Sequence, residues 1–368
     1  MSIGLPKLEL VFKAAAETAA ARSKQGVAAV IVLESAAQDV RVVSCARAGE
    51  LSADLGAANL AYVQRTFVGS ELGGPAKVLV CRAPGGADGS ARTAGLKQAL
   101  AALEGHSIDY LAGPPDLTAE EGQAVAQWVD GRRALLGTVK AVLPELAADS
   151  MGVVNYAPCP TGEKISVGAD SYTAGEYCSR IAGVLAGIPS ACSCTGAVLE
   201  EVTAVPAYED PDGEVDKGKL ILVHDGTRAQ IARGVNSMTT VPKDGAQEWK
   251  KIKIVETMDL ISYYLQTTVN TKYRGRYPNS YDNKMLLVAA VQDYFDVLEQ
   301  RGICEAGSSW AEIDLAEQTA WLRAQGLDVD GMTQAQIREH KTGSWVFLAF
   351  GSTILDAMED FALTGKMA

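Results

Sequence analysis

The side chains of this chain most capable of chemistry are its three histidines, His106, His224 and His340, and its seven cysteines. Hydrolysis needs a nucleophile within hydrogen-bond reach of a base, with an oxyanion site beside both. No Gly-x-Ser-x-Gly elbow occurs. Only His224, which ends an apolar run and precedes Asp225, stands where a strand end could present a base, and a solvated histidine is the commoner outcome there. Gly162-Glu163-Lys164 has the wrong spacing for a phosphate loop and is followed by Ile165 rather than a hydroxyl residue. Ser35-Ala36-Ala37 follow the first apolar run, where a dinucleotide fold would carry glycines. Cys192 and Cys194 form the one close cysteine pair, with no histidine nearby, whereas a closed zinc site needs four ligands. Glu209, Asp210, Asp212, Glu214 and Asp216 are dense enough to hold a calcium ion but read more simply as a solvated loop. The expectation is a chain with no catalytic residue, no cofactor and no metal.

Composition narrows the classes further. At 368 residues with 48% hydrophobic content, the chain can bury two or three cores. A formal net charge of −12 argues against a dedicated nucleic-acid binder and against an anionic membrane surface. No apolar run reaches spanning length, and Met1-Ser-Ile-Gly-Leu-Pro6 lacks the basic-then-apolar pattern of a signal peptide. An odd, sparse set of cysteines fits buried reduced thiols and synthesis in a cytoplasm.

The elements that must position any site begin at Val27. Val27–Leu33 is a continuous apolar run, as expected of a strand buried on both faces. Further strand candidates are Val40–Cys45, Ala76–Cys81, Ile108–Ala112, Met151–Tyr156 and Lys219–His224. Helices alternate with them, two opened by the capping boxes Thr118/Glu121 and Thr173/Glu176. This alternation predicts a largely parallel sheet covered on both sides. After Gly245 the character changes. Ile254, Met258, Ile261 and Leu265 share one helical face, and Val288, Val291, Phe295 and Leu298 share another, with Asp282 as the expected cap and Gly302 as the stop. Ala311–Asp314 reads as a short strand. Asp314/Glu317 and Thr333/Gln336 start two short helices, and Ser344–Phe350, with Trp345 and Phe347, is the strongest strand of this part.

Both ends carry a detached strand. Leu8, Leu10 and Phe12 point one way in a segment separated from the body by Lys13–Arg22, an alanine-rich tether. Phe361, Leu363 and Met367 lie behind an acidic tether in which Asp356, Glu359 and Asp360 are expected to be solvated. A strand cut off from its own core must satisfy its backbone groups elsewhere.

The order of segments from Asn236 onward resembles the contractile phage tail sheath protein family, in the short form found in phages and phage-tail-like particles of Gram-positive bacteria. Asn236-Ser237, Glu256-Thr-Met-Asp259, Tyr281-Asp-Asn-Lys284, Ala320-Trp321-Leu322, Gly326 with Val329-Asp330, and Leu355-Asp-Ala-Met358 carry the resemblance, with weaker support from Leu5-Pro6 and from Arg22 to Val27. It implies an α/β fold: a subtilisin-like α/β domain without protease activity, a smaller C-terminal α+β domain facing an inner tube, and terminal strand arms exchanged between subunits. On this pattern residues 1–26 form the N-terminal arm and tether, 27–240 the sheath domain, 241–354 the tube-facing domain and 355–368 the C-terminal arm.

The resemblance also implies partners. These are further copies of the chain in hexameric discs stacked as a helical sheath, the inner tail tube protein, and baseplate and tail terminator proteins, with no nucleic-acid contact and no membrane insertion. The setting would be a virion tail or tail-like particle assembled in a bacterial cytoplasm. Leu8, Leu10, Phe12, Trp345, Phe347, Phe361, Leu363 and Met367 are then the candidate subunit-pairing residues. Tube-facing candidates are Asp293, Asp296 and Glu299 on one helix and Glu317 and Arg323 on another. Two other readings stay open: another self-assembling tail component, or an α/β enzyme of unknown substrate. A tube protein would be a small β-barrel, which this alternation does not suit, and an enzyme would need the convergent groups that are missing.

Overall fold

The computed structural model describes residues 26–365 except 53, 86–88 and 244. Their contacts divide them into two units, residues 26–256 with 357–365, and residues 257–356. Leu8, Leu10, Phe12 and Met367 lie outside the described residues.

In the first unit the elements run β1 (Val27–Glu34), β2 (Arg41–Cys45), α1 (Ala57–Thr66), β3 (Lys77–Pro84), α2 (Gly89–Leu103), β4 (Tyr110–Ala112), α3 (Ala119–Ala134), β5 (Lys140–Pro144) and β6 (Val153–Tyr156). The hairpin β7 (Ile165–Val167) and β8 (Asp170–Tyr172) follows, then α4 (Ala174–Gly187), β9 (Val198–Leu199), α5 (Pro211–Asp216), β10 (Lys219–Leu220), β11 (Leu222–His224) and β12 (Ala229–Ile231). Seven strands form one sheet in the order β10-β6-β5-β4-β1-β3-β2, parallel throughout except for the antiparallel edge pair β2–β3.

The apolar run of β1 follows from its central place. Ala28, Val30 and Val32 enter one core with Tyr62 of α1 and Tyr177, Ile181 and Leu185 of α4. Val27, Ala29 and Ile31 enter the opposite core with Leu96 and Leu100 of α2 and Val125 and Val129 of α3. Side chains alternate across a strand, so a strand covered on both faces has no solvent side to mark it. Each fully buried Val, Leu or Ile contributes about 1.5–3 kcal/mol. Helices α1 and α4 meet closely because residue 183 is glycine: a Cβ there would fall 2.0 Å from the Thr66 carbonyl oxygen. Both expected capping boxes form, Thr118 with Glu121 and Thr173 with Glu176.

Several expectations for this unit need correction. The Lys219–His224 run is two strands, not one: β10 joins the large sheet, and β11 turns into a separate antiparallel sheet in the order β11-β12-β9. The acidic Glu209–Asp216 run is not all loop, because Asp210 caps α5 with Pro211 in its first turn. β5 was not expected at all. It lies inside the sheet between β4 and β6, but it begins with Lys140 and ends with Pro144, which conceal a three-residue apolar core.

The second unit holds most of α6 (Ile252–Thr268), then α7 (Tyr281–Gln300), β13 (Trp310–Ile313), α8 (Leu315–Ala324), α9 (Gln334–Glu339) and β14 (Leu348–Gly351). Met258, Ile261 and Leu265 of α6 are buried, as are Val288, Val291, Phe295 and Leu298 of α7, which fits the two predicted faces. Gly302, at a φ of 64°, follows α7 as its stop. The cap of α7 is Ser280 rather than Asp282; its Oγ accepts from Asn283 N–H at 3.3 Å. Thr333 and Gln336 form a full capping box, while Asp314 accepts from Glu317 N–H without reciprocation. The strand expected at Ser344–Phe350 is shorter and later. β14 starts at Leu348, after Trp345 and Phe347, and pairs antiparallel with β13 so that Ala311 faces Phe350 and Ile313 faces Leu348.

Candidate assembly surfaces

No convergent chemistry appears at the histidines. His224 ends β11 at an exposed hairpin turn, where its Nδ1 accepts from Gly226 N–H at 3.1 Å. Asp225 is spent on the same turn, accepting from Thr227 and Arg228 N–H at 2.8 and 2.9 Å. These bonds hold the Asp225 carboxyl below the usual carboxylate range. Cys81 and Cys159 are buried, and burial pushes their thiols up to about 12 and about 11, so neither is a ready nucleophile. In the acidic run, Asp210 caps α5 and Glu214 pairs with Lys217 and Lys219. Among the described residues no group of three acidic, histidine or cysteine side chains is arranged to hold a metal.

The aromatic candidates gather in the second unit. Trp345 and Phe347 stack with ring centroids 6.0 Å apart, and Trp321 of α8 lies 6.2 Å from Phe347. Asp314 N–H donates to Phe347 O at 3.0 Å, which carries the β13–β14 pairing one step beyond the strand. Trp310, at the start of β13, is 47% exposed and Trp345 is 39% exposed. After β14 the chain stays attached through Glu305 N–H to Thr353 O and Leu355 N–H to Ile303 O. Among the described residues this sheet has two strands, and a two-stranded sheet is marginal on its own.

Beyond Leu355 no regular structure is assigned through Gly365. Phe361 and Leu363 are 70% and 91% exposed. Among the described residues, 361–365, the strand expected at Phe361–Met367 is not formed; extended backbone needs a partner for its hydrogen bonds.

The charged candidates differ in character. Asp293 and Asp296 stand on the exposed face of α7, where Asp296 accepts from Gln292 Nε2 at 2.8 Å. Leu286 and Val297 are exposed on the same helix. Glu299 is committed internally: its carboxylate accepts from Gly307 N–H at 2.7 Å and Ser309 N–H at 2.8 Å, and the Ser309 and Gly307 bonds hold its carboxyl below the usual range. Glu317 is exposed on α8, and Arg323 pairs with Asp330.

The family model of the phage tail sheath C-terminal domain matches residues 244–368. Over 371 aligned residues the chain is 31% identical to the tail sheath protein of Clostridium phage phiCD119, covering 99% of each. The chain belongs to the phage tail sheath family. Solved structures share the fold at lower identity. The sheath tail protein of Listeria innocua superposes with a TM-score of 0.65 at 13% identity, over 92% of this chain and 97% of that one. The helical sheath of the anti-feeding prophage in its contracted state gives 0.66 at 14% identity over 100% of both chains. The mixed α/β fold is thus that of sheath proteins.

Within this sheath protein, residues that carried the resemblance prove to be hydrogen-bonding hubs. Asn236 donates from Nδ2 to Trp249 O at 2.7 Å and accepts from Met238 N–H at 3.0 Å. Glu256 pairs with the buried Lys140 at 3.3 Å. Lys284 is 3% exposed and donates to Gln318 Oε1 at 3.2 Å and to His340 O at 3.4 Å, and burial lowers its pKa. Two further hubs are Arg180, which donates to Glu201, Val68 O and Gly69 O, and Glu359, which is not solvated as expected but accepts from Ser193 and Thr195. No sequence pattern marks them, because their partners are distant in the chain.

Proposed function

We propose that this chain is the structural subunit of a contractile tail sheath. It polymerises as stacked hexameric discs around an inner tube, and contraction of the helical lattice drives the tube through a target cell envelope. The observation that carries this reading is the segment of residues 356–365: it has no regular structure in the single chain and exposes Phe361 and Leu363, on a protein whose full-length relative is a tail sheath protein.

Strand addition supplies backbone hydrogen bonds for affinity and alternate side chains for register. The C-terminal arm pairs with the β13–β14 sheet of a neighbouring copy, beside Leu348–Gly351, and the Leu8–Phe12 segment makes the equivalent donation from the other end. Such a heterologous contact does not close on itself and builds a filament rather than a ring. The 27–240 region forms a subtilisin-like domain that is used structurally, and residues 241–354 face the tube, with Asp293 and Asp296 as the charged contact. Baseplate and terminator proteins bound the polymer at its two ends. Stored energy lies in the difference between two packings of the same subunits, summed over many copies, so no nucleotide enters the cycle.

Negative-stain microscopy of the purified protein tests this reading. The expected result is hollow, striated tubes; a protein that remains a dispersed monomer at every concentration and salt tested contradicts it. Absence of labelling by a fluorophosphonate probe is expected, and labelling abolished by His224→Ala would restore the enzyme reading.

A further inference from the structure

Among the described residues beyond Leu355 the chain is exposed except at Ala357 and Glu359. Met358 is 87% exposed, and the side chain of Asp360 is 81% exposed, yet the Glu359 side chain between them is only 6% exposed. A carboxylate taken out of water must be paired and hydrogen-bonded or it costs several kcal/mol. Here it is both. Glu359 Oε1 accepts from Ser193 Oγ and Thr195 Oγ1, each at 2.7 Å, and Oε2 lies 3.5 Å from Lys251 Nζ and 3.9 Å from Arg233 Nη1.

The socket is prepared from the α/β side. Ser193 Oγ also accepts from Thr195 N–H at 3.1 Å, and Thr195 Oγ1 accepts from Gly234 N–H at 2.9 Å. Ser193 Oγ also lies 3.1 Å from Thr195 Oγ1, so the Ser193 proton is shared between that hydroxyl and the carboxylate, while the Thr195 proton points at Glu359. Arg233 is shared, its guanidinium also pairing with Asp360. Residue 234 is glycine because a Cβ there would fall 2.5 Å from Cys194 Sγ, so the loop that carries Arg233 lies against the Ser193–Thr195 turn.

We propose that Ser193, Thr195, Arg233 and Lys251 form a carboxylate socket that seats Glu359 of the same chain and fixes where the C-terminal arm leaves the α/β unit. Phe361 and Leu363, two and four residues further on, are thereby presented to a second copy. Glu359 acts as a positioning residue: it shortens the flexible reach of the arm, which raises the effective concentration of the donated strand and lowers the entropy lost on pairing. This inference rests on the donated-arm reading above, and the experiment separates the two.

The test compares the wild type, Glu359→Ala, Glu359→Gln and a chain ending after Asp360. It reads backbone order at residues 357–360 in the dispersed protein from 15N relaxation, the melting temperature, and the rate of tube growth by light scattering. Expected for Glu359→Ala are a melting temperature close to that of the wild type, loss of order at 357–360 and tube growth about tenfold slower. Glu359→Gln, which keeps an acceptor for the two hydroxyls but loses the charge facing Arg233 and Lys251, should fall between. The chain ending after Asp360 should keep the order and form no tubes. Wild-type growth by Glu359→Ala beside a truncated chain that cannot grow overturns the socket and leaves the arm reading standing. Wild-type growth by the truncated chain overturns both, and a 357–360 segment as mobile in the wild type as in Glu359→Ala overturns the socket.

Discussion

Ser237 and Ser150 hold each other across 87 residues of chain: Ser150 N–H donates to Ser237 Oγ at 3.2 Å, and Ser237 Oγ donates to Ser150 O at 2.9 Å. One buried hydroxyl thus satisfies both backbone groups of a residue just ahead of β6, while Ser237 N–H donates to Val153 O at 2.8 Å. The Asn236-Ser237 pair stitches the segment ahead of α6 to the start of β6 in the large sheet. Ser237→Ala would leave a buried donor and a buried acceptor unpaired and should cost about 1–3 kcal/mol. Chemical unfolding monitored by circular dichroism checks this, and Ser237→Thr should recover part of the loss.

Asp149, beside it, accepts from Thr240 N–H at 2.8 Å and Thr239 N–H at 2.6 Å. These bonds, Thr240 first, bring its carboxyl down to about 2. A carboxyl depressed below its unfolded value, about 3.9, contributes stability above that pH and loses it as pH falls toward the folded value. Asp149 is exposed, so solvent screening keeps the effect below about 1 kcal/mol. Asp149→Asn keeps the acceptor but has no proton to gain. Its deficit relative to the wild type in urea midpoint should therefore shrink between about pH 5 and about pH 2.5; a constant deficit would refute the assignment.

Arg180, 2% exposed, ties three places together. It donates to Glu201 Oε1 at 2.6 Å, to Val68 O at 2.6 Å and to Gly69 O at 2.9 Å. Burial would raise the Glu201 carboxyl, but the guanidinium outweighs it and leaves the group below the usual range. Arg180→Ala should destabilise the α/β unit by about 3–5 kcal/mol, since it strands a partly buried carboxylate and two carbonyls. Arg180→Lys should restore only part, because an ammonium cannot span all three acceptors. Thermal melts of the two variants distinguish this from simple loss of packing.

On the proposed tube face, Asp293→Lys with Asp296→Lys should weaken co-assembly with the tube protein and leave sheath-only polymers intact. Glu299 is left unchanged in this variant because its carboxylate holds the Gly307 and Ser309 amides. Co-sedimentation at low salt, where surface charge acts most strongly, is the check. Unchanged binding there would exclude this face of α7.

Much of the fold was legible because its signals are local. β1 shows as an unbroken apolar run, and three capping boxes mark helix starts within four residues of sequence. The faces of α6 and α7 follow from spacing alone. What escaped depends on distant partners. β5 is a strand because β4 and β6 flank it, not because Lys140–Pro144 is apolar at its ends. Lys219–His224 divides because its two halves find different sheets. Ser280 displaces Asp282 as the cap of α7, and both residue types cap well. Glu359 was expected to be a solvated tether residue, and nothing around it in sequence announces Ser193 or Thr195. The arms give no local signal of a partner because the partners proposed for them belong to other copies of the chain.

The exchange of terminal strands between subunits is tested most directly by a cryo-EM reconstruction of tubes grown from the purified protein. The predicted result is density for residues 361–367 running as a strand beside Leu348–Gly351 of a neighbouring subunit, reached from Glu359 seated in its own socket. Density for that segment folded onto its own subunit, with no backbone pairing between copies, would contradict the account.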